Sequence, residues 1–137
     1  KFFVDNNLPA EWAPALAHLC RSERPTGEVA AQRKKFPPNT TDIEWIKRLG
    51  EEGGWYIVSI DRFAKGDAER QAFRESGLTC FRLESQWSKH SYWPQTQAIV
   101  RWWPRILDQA RLMEGGGIIE VPFTFRGEGK FRLPTRR

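Results

Sequence analysis

The chain has 137 residues, 22 Lys and Arg against 17 Asp and Glu for a net charge of +5, and 39% hydrophobic residues. That apolar share, with seven Trp and nine Phe, excludes a disordered chain, and the length suits one domain around one core. No apolar run approaches the ~20 residues of a membrane span, no signal peptide opens the chain, and the positive balance favours a polyanionic partner.

Phe2-Phe3-Val4 follows Lys1 directly and reads as a buried strand, so folded sequence is expected from the first residues; Asp5-Asn6-Asn7 is the polar turn that ends it. From Pro9 to Cys20, Trp12, Leu16 and Leu19 follow helical spacing, with Pro14 tolerable in the first turn. Arg24-Pro25-Thr26-Gly27 breaks the chain, and Glu28 to Ala31 predicts a second short strand. Gln32 to Thr40 reads as a basic, proline-containing loop with Arg33, Lys34 and Lys35. Thr41-Asp42-Ile43-Glu44 matches a capping box, and Ile43, Ile46 and Leu49 share one helix face before Gly50, Gly53 and Gly54. Trp55 to Ile60 is a strongly apolar strand closed by Asp61. Asp67 to Ser76 is an amphipathic helix with Asp67 as its expected N-cap and Gly77 as its stop. Leu78 to Leu83 is a further strand. Trp93 to Met113 is helical but interrupted at Pro104, which predicts a kink or two shorter helices. After Gly115-Gly116-Gly117, Ile118 to Phe125 reads as an edge strand holding Pro122, and Arg126 to Arg137 as a basic, mobile tail.

Strands alternating with helices predict an α/β protein, a three-layer α/β/α sandwich with a mainly parallel sheet. One domain is expected over residues 1–125, followed by the tail at 126–137. In such sheets the carboxyl ends of the strands share one rim, where ligands bind. Asp5 and Asp61 each follow an apolar strand, and Asp42 lies in the first turn of a helix whose N-terminus faces the same edge. Three carboxylates gathered there would repel one another and raise one another's pKa unless a cation intervened. Oxygen-only ligands suit Mg²⁺ or Mn²⁺, which can lower the pKa of a bound water and clamp a phosphodiester oxygen.

Three segments, F-F-V-D-N-N-L-P at Phe2 to Pro9, T-D-I-E-W-I at Thr41 to Ile46 and V-S-I-D-R-F at Val58 to Phe63, resemble the PIN-like nuclease domains of VapC-type toxins. The resemblance covers about residues 1 to 83. It implies metal-dependent cleavage of RNA, with Asp5, Asp42 and Asp61 as the catalytic and metal-holding acids, and a protein antitoxin that blocks the site. Many members carry a further Glu on an intervening helix that has no match here. Asn6 and Asn7 could add neutral oxygen ligands, and Glu44 or Asp67 charge. Arg62 and Lys65, just after Asp61, are placed to touch a scissile phosphate, and Lys34 and Lys35 to hold the RNA backbone.

Simpler readings accompany these. The capping box accounts for Glu44, and Asx residues after a strand favour turns in any protein. His18 and His90 lack partners at zinc-ligand spacing, and no nucleophile elbow supports a hydrolase triad. Cys20 and Cys80 form no disulfide framework and read as packing residues of a reducing, cytoplasmic setting. Trp87, Trp93, Trp102 and Trp103 could stack on bases, although aromatics at helical spacing are more often core. Because Trp102 and Trp103 are adjacent, one of them is expected to be partly exposed, at a homodimer or antitoxin interface or against RNA. Asn7 stands where a HAD-type phosphatase needs its second Asp, and the third-strand Asp and the Lys of a receiver domain cannot be placed. The rival that keeps the fold is a catalytically degenerate PIN-like module that binds nucleic acid or protein without cleaving.

Overall fold

The computed structural model describes residues 1–21, 28–60, 66–113 and 115–133. The chain runs β1 (Phe2–Val4), α1 (Trp12–Cys20), β2 (Val29–Ala31), α2 (Gln32–Lys35), α3 (Asp42–Glu52), β3 (Tyr56–Ser59), α4 (Asp67–Ser76), β4 (Thr79–Leu83), a 3₁₀ turn at Ser85–Lys89, α5 (Tyr92–Leu112) and β5 (Gly117–Val121). The five strands form one all-parallel sheet in the order β2-β1-β3-β4-β5. The expected α/β/α sandwich is therefore present.

The near-continuous apolar strands follow from this topology, since a parallel sheet covered on both faces buries alternate residues on opposite sides. Phe2, Val4, Val58, Phe81, Leu83, Ile119 and Val121 meet α1 and α5 on one face. Phe3, Ile57 and Cys80 meet Trp45, Ile46 and Leu49 of α3 and Ala72 and Phe73 of α4 on the other. Among the described residues, no helix is long and apolar enough to cross a membrane.

Several local expectations are corrected. Gln32–Lys35 forms one helical turn rather than a loop. Leu19 is 56% exposed, so the buried stripe of α1 is Trp12, Ala13, Leu16 and Cys20. Gly66, not Asp67, is the N-cap of α4, and Asp67 is its first helical residue. Helix α5 is continuous through Pro104; its burial against the sheet outweighs the hydrogen bond that proline cannot donate. Strand β5 ends at Val121, because Pro122 has no N–H to continue the ladder.

The largest correction concerns the tail, which packs back over residues 126–133. The Arg132 N–H donates to Glu120 O (2.8 Å) and the Glu120 N–H to Arg132 O (2.7 Å), an antiparallel bridge on the free edge of β5. Phe131 stacks on Trp102 at 5.1 Å and tilts against Phe81 at 5.8 Å. The break expected at Arg24–Gly27 and the last four residues of the tail lie outside the described residues.

Candidate functional site at the carboxyl rim

Residue Asp5 leaves β1 at the carboxyl end of the sheet and is 6% exposed. The register pairs Val4 with Val58, so the next residues along, Asp5 and Ser59, face each other across β1 and β3. The fully buried Ser59 Oγ donates to Asp5 Oδ2 at 2.5 Å, and the Asn7 N–H donates to Asp5 Oδ1 at 3.2 Å. The backbone is fixed as well: the Asp5 N–H donates to Val58 O at 3.1 Å and the Leu8 N–H to Asp5 O at 3.0 Å. The turn after Asp5 is braced from β2's side, where the buried Gln32 accepts the Asn6 N–H at its Oε1 (3.1 Å). Arg33 Nη2 donates to Asn6 O at 3.3 Å.

A crossover helix runs antiparallel to the strands it links, so the N-terminus of α3 stands at this same rim. Asp42, half-buried, is its first residue, and its Oδ1 accepts from the indole Nε1 of the fully buried Trp45 at 3.0 Å. Thr41 Oγ1 accepts the Glu44 N–H at 3.2 Å, which is the expected cap.

A family model described as a PIN like domain matches residues 1–85 of the 137. The chain belongs to the PIN-like domain family. Comparison with curated proteins found no match, nor did comparison with solved structures. The matched part of this PIN-like domain spans β1 to β4 and contains the whole Asp5 arrangement; α5, β5 and the returning C-terminal segment lie beyond it.

The remaining expected site residues of the PIN-like domain are distributed unevenly. Asn6 is exposed on the rim beside Asp5, and Glu44 is exposed in the first turn of α3. Asp67 opens α4 and takes Arg70 Nη2 at 2.6 Å; that bond, and then the charge of Arg70, hold its carboxyl below the usual range. Lys34 is exposed. Lys35 is turned away from the rim: its ammonium bonds Glu52 at the end of α3 (3.2 Å) and lies 4.9 Å from the ring of Trp55, just before β3. Hydrogen bonds from Lys35 and then from Trp55 hold the Glu52 carboxyl below its ordinary value. The member of the basic run that reaches Asn6 is Arg33.

Asp61, Arg62 and Lys65 lie outside the described residues. Among the described residues, no group of three or more His, Cys, Asp or Glu side chains is placed to hold a metal ion.

Of the four tryptophans weighed as stacking platforms, Trp87, Trp102 and Trp103 are core and Trp93 is 68% exposed. The adjacent pair is buried on both sides, against expectation. Trp102 packs on Phe125 and Phe131 of the returning segment, whereas Trp103 packs on Phe2 and donates to Cys20 Sγ of α1.

Sequence reasoning passed over Ser59 and Gln32, whose side chains brace Asp5 and its turn. The available signal for Ser59 was a hydroxyl ending an otherwise apolar strand.

Proposed function

We propose that this PIN-like domain is a metal-dependent endoribonuclease that hydrolyses RNA phosphodiester bonds at the carboxyl rim of its sheet. The observation that carries the reading is Asp5, a buried acid placed directly after the first strand and held in one orientation by Ser59 and Asn7. Burying a carboxylate is costly unless hydrogen bonds or a cation compensate, and its place at a strand end is where parallel sheets bind ligands. The oxygen-only donor chemistry of Asp5, Asp42 and Asp61, with the Asn6 amide as a neutral addition, suits Mg²⁺ or Mn²⁺.

A divalent ion bound by those three acids would lower the pKa of a water and clamp a phosphodiester oxygen for in-line displacement. Ser59 and the Asn7 N–H fix the orientation of the Asp5 carboxylate by donating to its two oxygens. Trp45 orients Asp42 in the same way. Arg62 or Lys65 would offset the phosphate charge, with Lys34 contributing from the exposed basic run. The resemblance to VapC-type toxins supports a toxin role, with a protein antitoxin as the partner that covers the rim.

The test is incubation of the purified chain with structured and single-stranded RNA in Mg²⁺, Mn²⁺ or EDTA, beside an Asp5→Asn variant. Cleavage that needs the metal and is lost in the variant is the expected result. Cleavage retained in an Asp5→Asn, Asp61→Asn double variant would overturn the mechanism. Equal RNA binding by wild type and variant with no cleavage in either would favour the degenerate binding module.

A further inference from the structure

We propose that a basic recess built by the returning C-terminal segment holds a backbone phosphate of the RNA strand as it leaves the carboxyl rim. The recess has a volume of about 360 Å³, and its polar lining comes from Gln86, Thr124, Arg126, Lys130 and Arg132. Among the described residues, three cations and no acid line it. It shares Gln86 and Arg132 with a second recess of about 550 Å³ that runs past Arg82 and Glu84 to Ile60, the residue after Ser59. A continuous surface therefore joins the end of β3, beside Asp5, to the three cations.

The backbone that carries Arg126 and Lys130 is held by a built turn. The Gly129 N–H donates to Arg126 O at 2.9 Å, which sets Arg126 and Lys130 on either side of the turn. Gly129 has φ +95°, and a Cβ there would come within 2.9 Å of the Phe125 ring and 3.1 Å of Arg105 Cγ. Glycine is thus needed for both conformation and close approach. Arg105 Nε donates to Gly129 O at 3.0 Å, which ties the turn to α5, and the Glu120–Arg132 bridge ties its far side to β5.

Charge balance separates these cations from their neighbours. Arg82 pairs with Glu120 at 2.6 Å and Arg132 with Glu84 at 3.4 Å. Arg126 and Lys130 meet no carboxylate within ion-pair distance among the described residues, and Glu128, exposed at the tip of the turn, does not line the recess. Like charges gathered without counter-charge repel, and an anion on the recess relieves that repulsion. The Thr124 hydroxyl and the Gln86 amide add neutral donors suited to phosphate oxygens. Contacts of this kind position a strand without reading its bases, so the recess accepts any sequence.

The identity of the strand as RNA rests on the nuclease reading, but the test reads binding alone. In EDTA and on an Asp5→Asn background, the affinity for a labelled single-stranded RNA is measured by fluorescence anisotropy across a salt series. The Arg126→Ala, Lys130→Ala double variant should bind more weakly. Its log Kd against log salt slope should fall by about 0.7, the contribution of one phosphate neutralised on a single strand. Arg126→Lys with Lys130→Arg should restore the slope, and Arg126→Gln with Lys130→Gln serves if the alanine pair fails to unfold cooperatively. An unchanged slope overturns the proposal, as does absence of RNA binding in every variant. Saturation of the recess by inorganic phosphate without competition from RNA overturns it too. Failure of cleavage with the slope change intact sinks only the nuclease reading, whereas intact cleavage with an unchanged slope sinks only the recess.

Discussion

At the scale of single residues, the bond from Ser59 Oγ to Asp5 Oδ2 does the most to define the site. Its two ends are 54 positions apart in the chain. They meet because β1 and β3 are neighbours in register. Ser59→Ala removes a donor from a buried carboxylate, and hydrogen bonds to charged groups contribute about 1.5–3 kcal/mol. The expected outcome is a loss of that size in urea unfolding, with reduced cleavage and little change in KM. An unaltered unfolding midpoint would mean that the bond contributes nothing net. Asp5 itself was legible as an acid after an apolar strand. The role of Ser59 was not, since strand neighbours cannot be read from spacing along one strand.

At the scale of elements, α3 shows how far local chemistry carries. Its capping box was readable in four residues, and the Thr41 Oγ1 bond to the Glu44 N–H is present. Thr41→Ala should cost about 1 kcal/mol of stability, the usual worth of a Ser or Thr cap, measurable as a lower thermal midpoint. The same variant should also lower cleavage, since fraying of the first turn would move Asp42; full activity with a lowered midpoint would remove Asp42 from the site. Helix α5 teaches the converse. Pro104 predicts a break by local rules, yet Trp102, Trp103, Ile106 and Leu107 are buried around it and the helix runs through. Tertiary burial on two sides outweighs one missing hydrogen bond.

At the scale of the whole molecule, the C-terminal segment changes both packing and charge. Residues 126–137 hold five cations (Arg126, Lys130, Arg132, Arg136, Arg137) against Glu128, which is +4 of the net +5. Its described part covers Trp102 and Phe81 with Phe131 and pairs with the edge of β5. Truncation after Phe125 should therefore destabilise the domain by about 2 kcal/mol or more, the burial worth of one phenylalanine with the bridge in addition. Denaturant unfolding measures this, and an unchanged midpoint would mean that the segment is dispensable to the fold.

By itself the sequence determined the α/β class, the approximate place of each strand, and Asp5 and Asp42 as acids at a strand end and a helix start. These features are written in local signals: runs of apolar residues, a capping box and polar turn residues that act within a few positions. Tertiary structure alone decided that Ser59 and Gln32 brace Asp5 and its turn, and that Lys35 serves Glu52 and Trp55 at the amino end of the sheet. It also decided that both Trp102 and Trp103 are buried and that the basic segment over residues 126–133 folds back to form a recess. Each of these depends on which strands and helices become neighbours, and the energy of such contacts comes from groups far apart in the chain.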